Sequence, residues 1–242
     1  MNRLSVIIPA YKQTALTVVH VRECMNSYRV PDEIIVVNDH GDETLFDELQ
    51  KLEKKTKIIY AYILQDVGFG YNHACNLGFW LSRGDFITLE DADHIPLREA
   101  YSNATEILED RPEIDRVSFS RYWVPLENVL TLPYKDWVPT GVIGPNSMVA
   151  MYRREVYAYT KGQDERMNEY GWLAYDWKVR ETKVGVKTMK AGQFYIVKDG
   201  SEQNIKRGMS KKNRKFYKEN TANPHPHGEN GVLNFMFHVK QL

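Results

Sequence analysis

Asp91-Ala92-Asp93-His94 follows the short apolar run Phe86-Ile87-Thr88-Leu89-Glu90. Two carboxylates one residue apart, where a buried strand opens out, offer hard oxygen donors to a divalent cation. Such a cation also grips a diphosphate. The chemistry this permits is that of an enzyme using a nucleotide-activated substrate. A solvated acidic turn would carry the same two residues. The difference lies in which other polar groups the chain delivers to the same place.

The elements that must position these residues are written in the hydrophobic pattern. Leu4-Ser5-Val6-Ile7-Ile8-Pro9 reads as a buried strand stopped by proline. Thr14 to Ser27 carries a helical stripe of Leu16, Val19, Val21, Cys24 and Met25. Glu33 to Asp39 is a second apolar strand, Thr44 to Lys54 a helix, Ile58 to Leu64 a third strand, Asn72 to Ser82 a helix, and Phe86 to Leu89 a fourth strand. Continuous apolar strands separated by helices predict a parallel sheet covered on both faces. Ligands of such sheets bind beyond the carboxyl ends of the strands. Pro9-Ala10-Tyr11, Asp39 and Asp91-Ala92-Asp93 all fall at those ends. After Pro96 the spacing predicts a helix over 98–109, strands near 115–124, 149–152 and 193–197, and helices over 153–160 and 170–182. Residues 125–147 read as a Pro- and Gly-rich loop. Trp123, Tyr134 and Trp137 lie in or beside it, and they either stack on a sugar or base or close the loop onto the core. Residues 199–231 read as a mobile loop or folded-over tail, followed by apolar Val232 to Val239.

The chain has 242 residues, 43% of them hydrophobic, enough for one large domain or a domain with a grafted subdomain. Lys+Arg and Asp+Glu both number 32, so no net field argues for a nucleic-acid or membrane partner. Cys24 and Cys75 fit neither a metal spacing nor a disulfide framework. No leader is expected before Leu4, and no stretch approaches the ~20 apolar residues of a membrane span. The expectation is a soluble cytoplasmic protein, in the host cytoplasm were it viral.

Four segments in order carry a family resemblance: Ser5-Val6-Ile7-Ile8-Pro9-Ala10-Tyr11, Glu33-Ile34-Ile35-Val36-Val37-Asn38-Asp39, Gly68-Phe69-Gly70-Tyr71-Asn72-His73-Ala74-Cys75-Asn76-Leu77-Gly78 and Gly84-Asp85-Phe86-Ile87-Thr88-Leu89-Glu90-Asp91-Ala92-Asp93. They resemble the strand motifs, Gly-rich turn and Asp-x-Asp strand of family 2 glycosyltransferases. Downstream, Lys161 to Arg166 and Tyr170 to Arg180 resemble the family's Gly-Gly-Phe-Asp-Glu and Tyr-Gly-x-Glu-Asp segments, with Tyr175 in place of the Glu. The resemblance implies an α/β GT-A fold with a mostly parallel central sheet. Residues 1–95 would form the nucleotide-sugar half, 96–200 the acceptor half and 201–242 a lid or tail. It further implies a metal-dependent, inverting transfer from a nucleotide-sugar, UDP-linked by expectation, to a hydroxyl acceptor.

Roles follow from the chemistry of that transfer. A manganese or magnesium ion stabilises the leaving diphosphate. Asp93 is the expected direct metal ligand. Asp91 would bind the ribose or share the metal through water. Asp39 would accept a base N–H or a ribose hydroxyl, Pro9, Ala10 and Tyr11 would wall the base, and Asp66 would reach it too. Asn72, opening the helix after the Gly-rich turn, joins the donor-binding set. Asp176 is the candidate general base, with Asp164 and Glu165 as fallbacks. It would otherwise be a helix carboxylate paired with Lys178 or Arg180. Asp199, His225 and His227 compete for the remaining metal position. The basic run Lys206 to Lys218 is a lid, a solvated face, or a contact for an anionic acceptor such as DNA phosphates. The acceptor is open among a saccharide, a glycoconjugate and a modified nucleobase in phage-type DNA. The rivals are a nucleotidyltransferase, for which the residues after Pro9 lack a Gly-rich basic phosphate loop, and an inert GT-A-fold sugar- or nucleic-acid-binding module.

Overall fold

Strands that are apolar at every position need two buried faces, because successive side chains point to opposite sides. The computed structural model, which describes residues 2–144, 148–198, 209–222 and 236–242, supplies both faces. In chain order the elements begin β1 (Leu4–Ala10), α1 (Thr14–Met25), β2 (Glu33–Asn38), α2 (Leu45–Gln50), β3 (Lys57–Ile63), α3 (Tyr71–Leu81) and β4 (Phe86–Leu89). Then come β5 (His94–Pro96), α4 (Ala100–Asp110), β6 (Arg116–Pro125), α5 (Leu126–Thr131), β7 (Gly141–Ile143), β8 (Ala150–Arg153) and α6 (Arg154–Tyr159). The last are α7 (Leu173–Lys183), β9 (Thr188–Lys198), α8 (Lys211–Ala222) and β10 (Phe237–Gln241).

The strands form one sheet in the order β10-β3-β2-β1-β4-β8-β6-β9-β5, with β7 beside β6. β3, β2, β1 and β4 are mutually parallel. Leu4, Val6, Ile8, Ile34 and Val36 face one core together with Val21, Cys24 and Met25 of α1 and Leu45 and Leu49 of α2. Ile7, Ile35, Val37, Ile59 and Ala61 face the other, under α3, α6 and Trp177 of α7. At roughly 25 cal/mol per Å² of apolar surface, this double burial is the main force holding the strand ends in place. Cys24 and Cys75 are buried and free, as their apolar neighbours predict.

Several segments differ from the sequence expectation; β5 was not expected, and β9 begins at Thr188 rather than near 193. α2 is shorter than 44–54, ending at Gln50 before a charged run. The expected loop at 125–147 contains α5, a 3-10 turn at Tyr134–Asp136 and β7. There Tyr134 and Trp137 pack on Tyr195 and close the segment onto a third core with Leu16, Val19 and Val124. The polar tail contains α8, and the chain returns through β10, antiparallel to β3. No helix among the described residues is long and apolar enough to cross a membrane.

Candidate active site

The carboxyl ends of β1, β2 and β4 lie side by side because these three strands are neighbours in the sheet. Ala10 ends β1, buried, and its carbonyl accepts the Asp39 backbone N–H at 2.8 Å. Tyr11 follows at 49% exposure, with the Lys12 ammonium 5.0 Å from its ring centroid. Lys12 adopts a φ of 51°, so the chain turns sharply out of the strand.

Asp39 is 6% exposed and its Oδ1 has no hydrogen-bond partner. Burial raises its pKa to about 6, the Gly70 N–H opposes the rise, and the charge of Asp66 adds to it. Gly70 is required here for space: a Cβ would lie 2.0 Å from Asp39 Oδ1. The Gly-rich turn therefore brings bare backbone against the carboxylate. Asp66 accepts the Gly68 N–H at 2.9 Å and is otherwise exposed. Asn72 is buried at the start of α3. It donates to the Asp164 carbonyl at 2.7 Å, while its Oδ1 has no partner. It thus ties the Gly-rich turn to the Asp164 segment.

At the end of β4 the ligand atoms of Asp91, Asp93 and His94 lie within 4.8 Å of one another. The Tyr71 hydroxyl donates to Asp91 Oδ1 at 2.6 Å. His94 Nδ1 stands 2.6 Å from Asp93 Oδ1 and 3.6 Å from Asp91 Oδ2. Burial lifts the Asp91 carboxyl, and Asp93 reinforces the rise against the pull of His94. For Asp93 burial is outweighed by the charge and hydrogen bond of His94, which hold it below the usual carboxylate range. Arg121 of β6 reaches His94 Nε2 at 3.3 Å. A cleft of about 270 Å³ beside Asp93 is lined by Lys12 to Leu16, Leu126, Leu130 and Val197.

Beneath this turn Glu90 is fully buried. It binds His20 Nε2 at 2.8 Å and accepts the Tyr101 hydroxyl at 2.8 Å, anchoring the base of the Asp91–Asp93 turn to α1 and α4.

The expected base lies in α7, apart from this cluster. Asp176 is 1% exposed, in the first turn of α7. Its Oδ2 accepts from Arg180 Nε at 2.9 Å and its Oδ1 from Asn220 Nδ2 at 2.6 Å. Burial raises its pKa despite the opposing Arg180 charge. The same Asn220 amide reaches Asp164 Oδ2 at 2.9 Å, and Asp164 is held by Arg166. Glu165 is half-buried, accepting from Asn76 at 2.8 Å with His73 3.9 Å away. Asp199, His225 and His227 lie outside the described residues.

His94, Tyr71 and Arg121 join the cluster beyond the residues expected there. His94 was adjacent to Asp93 and so was visible. Tyr71 and Arg121 reach the site only through tertiary packing and leave no local signal.

A mostly parallel α/β half-sheet thus carries, at its strand ends, a buried carboxylate with one unpartnered oxygen and a paired-carboxylate turn with an imidazole, a candidate cation site. Residues 5–160 match the model for glycosyl transferase family 2, and the chain belongs to that family. It is 33% identical over 104 residues to a probable glycosyltransferase, YdaM, of Bacillus subtilis, covering 41% of this chain and 25% of that protein. Over 109 residues it is 32% identical to the hyaluronan synthase of Pasteurella multocida, covering 44% of this chain and 11% of that one. The matched region is thus a small part of either relative's length. Among solved structures, the mannosyltransferase PcManGT of Pyrobaculum calidifontis, in complex with GDP-Man and Mn2+, superposes with a TM-score of 0.58 at 17% identity, over 86% of this chain and 58% of that one. Residues 1–349 of S. aureus TarS superpose with a TM-score of 0.62 at 13% identity, over 81% and 60%. The fold is GT-A.

Proposed function

We propose that this domain transfers a sugar from a nucleotide-sugar, UDP-linked, to an acceptor hydroxyl by a single inverting displacement. The observation that carries the reading is the placement of Asp39 and the Asp91–Asp93–His94 cluster at the carboxyl ends of β2 and β4, the two parallel strands that flank β1. The unpartnered, buried Asp39 Oδ1 suits a base N–H or ribose hydroxyl. Pro9, Ala10 and Tyr11 wall the base, with Asp66 and Asn72 at its margin.

Two carboxylates and an imidazole with ligand atoms within 4.8 Å fit a divalent cation such as Mn2+ or Mg2+. Asp93 would hold it directly and Asp91 directly or through water; His94, with Nδ1 on Asp93 and Nε2 met by Arg121, would offer a ring nitrogen only on giving up one of those contacts. Bound there, the ion would neutralise the charge that gathers on the departing diphosphate. The solved relative with GDP-Man and Mn2+ and a TarS complex with UDP-GlcNAc support both parts of this reading.

Tyr71 fixes Asp91, and His94 fixes Asp93, so the carboxylates are oriented before the donor arrives. For the acceptor proton we assign Asp176, whose raised pKa suits a proton acceptor. It can serve only after Asn220 releases Oδ1. Glu165 is the half-buried alternative carboxylate. The sealed state of Asp176 is also the observation that favours an inert sugar-binding module. Hydrolysis and transfer measured over a panel of nucleotide-sugars, with and without manganese, separate the two. Metal-dependent turnover is expected, and its absence with every donor overturns the enzyme reading.

A further inference from the structure

Tyr71, which binds Asp91, is the first of a series of rings that leads away from the donor carboxylates. Its ring stacks on Phe69, with centroids 6.3 Å apart and planes at 16°. Phe69 meets Tyr170 edge to face at 5.9 Å. Two residues on, Trp172 contacts Tyr175 of α7 at 5.8 Å and Tyr217 of α8 at 5.0 Å. Tyr170 and Tyr175 are 48% and 59% exposed, too open for rings whose task is to fill a core.

The backbone is strained to present them. Gly171 and Trp172 take φ values of 95° and 70° in succession. A left-handed tryptophan is strained and persists only where the surroundings impose it. The Trp172 Nε1 is buried and has no hydrogen-bond partner. Beside the rings lies the outward face of α8. Lys211, Lys212, Arg214, Lys215 and Lys218 are exposed there, with Glu219 as the one acid on the helix. The Arg214 guanidinium sits 5.7 Å from the Trp172 ring centroid.

We infer that this track is an acceptor subsite and that its ligand is an acidic oligosaccharide. The inference rests on the proposed transferase reading and names the acceptor class. Three observations point the same way. Tyr71, Phe69 and Tyr170 run on from Asp91 in contact, and the short Tyr170–Trp172 backbone joins them to the second group of rings, so a chain lying along them ends beside the donor. Its two most exposed rings, Tyr170 and Tyr175, stand at 85° and 50° to Phe69 and Trp172 and so present separate faces, which suits the C–H faces of successive sugar rings better than stacked bases. The adjoining helix face supplies charge for carboxylate or phosphate groups on that chain.

The test is binding of three probes to the full chain by isothermal titration calorimetry. They are a hexuronate-containing hexasaccharide, neutral cellohexaose and an oligothymidylate of twelve residues. UDP with manganese is titrated in parallel as the donor control. The acidic hexasaccharide should bind best and weaken about tenfold in Tyr170→Ala and in Tyr175→Ala, both exposed positions that leave the core intact. Arg214→Gln should weaken the acidic probe, with a shallower salt dependence, and leave cellohexaose unchanged. UDP affinity should be the same in all three variants. If UDP binds but neither saccharide does, or if binding is indifferent to Tyr170 and Tyr175, the subsite is refuted. Tighter binding of the oligothymidylate, with the same variants affected, would replace it with a nucleic-acid track. Loss of UDP binding in the wild type would instead strike the transferase reading itself.

Discussion

Replacing Asp39 by Asn separates what this residue costs the fold from what it does for a donor. Its carboxyl is buried, one oxygen is unpartnered, and its pKa rises from 3.8 to about 6. A carboxyl whose pKa is higher in the folded chain binds its proton more tightly there. The native state is therefore favoured at low pH and penalised by ionisation at high pH. The rise corresponds to roughly 3 kcal/mol. That penalty is fully present above about pH 7, shrinks as pH falls through 6, and is gone below about 4. Asn has no charge to desolvate and keeps an oxygen to face the Gly70 N–H. Asp39→Asn should therefore be more stable than wild type at pH 8 by up to roughly 3 kcal/mol. For a chain of this size that is a Tm higher by up to about 6–12 °C. At pH 4 the two should melt together. The same variant should lose donor affinity, because a hydrogen bond to a charged acceptor contributes about 1.5–3 kcal/mol, or roughly ten- to 150-fold. Thermal melts from pH 4 to pH 8 and titration with UDP and manganese read both effects. A Tm difference that does not change with pH would refute the buried-carboxylate argument. Unchanged UDP affinity would refute the donor role.

Further expectations follow from the same geometry. Gly70→Ala would place a methyl 2.0 Å from Asp39 Oδ1; it should displace the carboxylate and lower UDP affinity at least about tenfold, read by calorimetry. Tyr71→Phe removes the 2.6 Å hydrogen bond to Asp91, and the donor KM should rise about five- to tenfold with the fold intact by circular dichroism. Asp176→Asn leaves Arg180 buried without its counter-charge, so a loss of about 3–5 kcal/mol is expected in denaturant melts; at a temperature where the variant stays folded, transfer should fail while UDP still binds. Asn220→Ala frees Asp176 Oδ1, and transfer should quicken if that bond holds the base closed; a slower rate at unchanged stability would count against Asp176 as base.

The parallel half of the fold was legible because burial on both faces leaves an unbroken apolar signature. Ile34 to Val37 can be little else. The strand-end residues Asp39, Asp91 and Asp93 followed from that half, since a sheet's order fixes which ends meet. The later elements were harder to read. β5 has three residues, and its identity depends on pairing with β9 rather than on its own pattern. α8 is so polar that the sequence resembles a solvated tail, and it is held by Asn213 and Asn220 reaching across to Glu169 and Asp176. The same blindness affected the site. Asp176 was visible as a carboxylate, but its seal comes from Asn220, 44 residues away. Trp172 stood out by type, whereas its left-handed backbone did not.

In the proposed function the Asp91–Asp93 turn holds a divalent cation that in turn holds a nucleoside diphosphate. The direct measurement is UDP binding by calorimetry in the presence of Mn2+, in the presence of a chelator, and with Asp93→Asn. Binding should be saturable with manganese, weaker by at least about a hundredfold with chelator, and equally weak for Asp93→Asn whether or not manganese is added. UDP affinity that is indifferent to both manganese and Asp93 would contradict it.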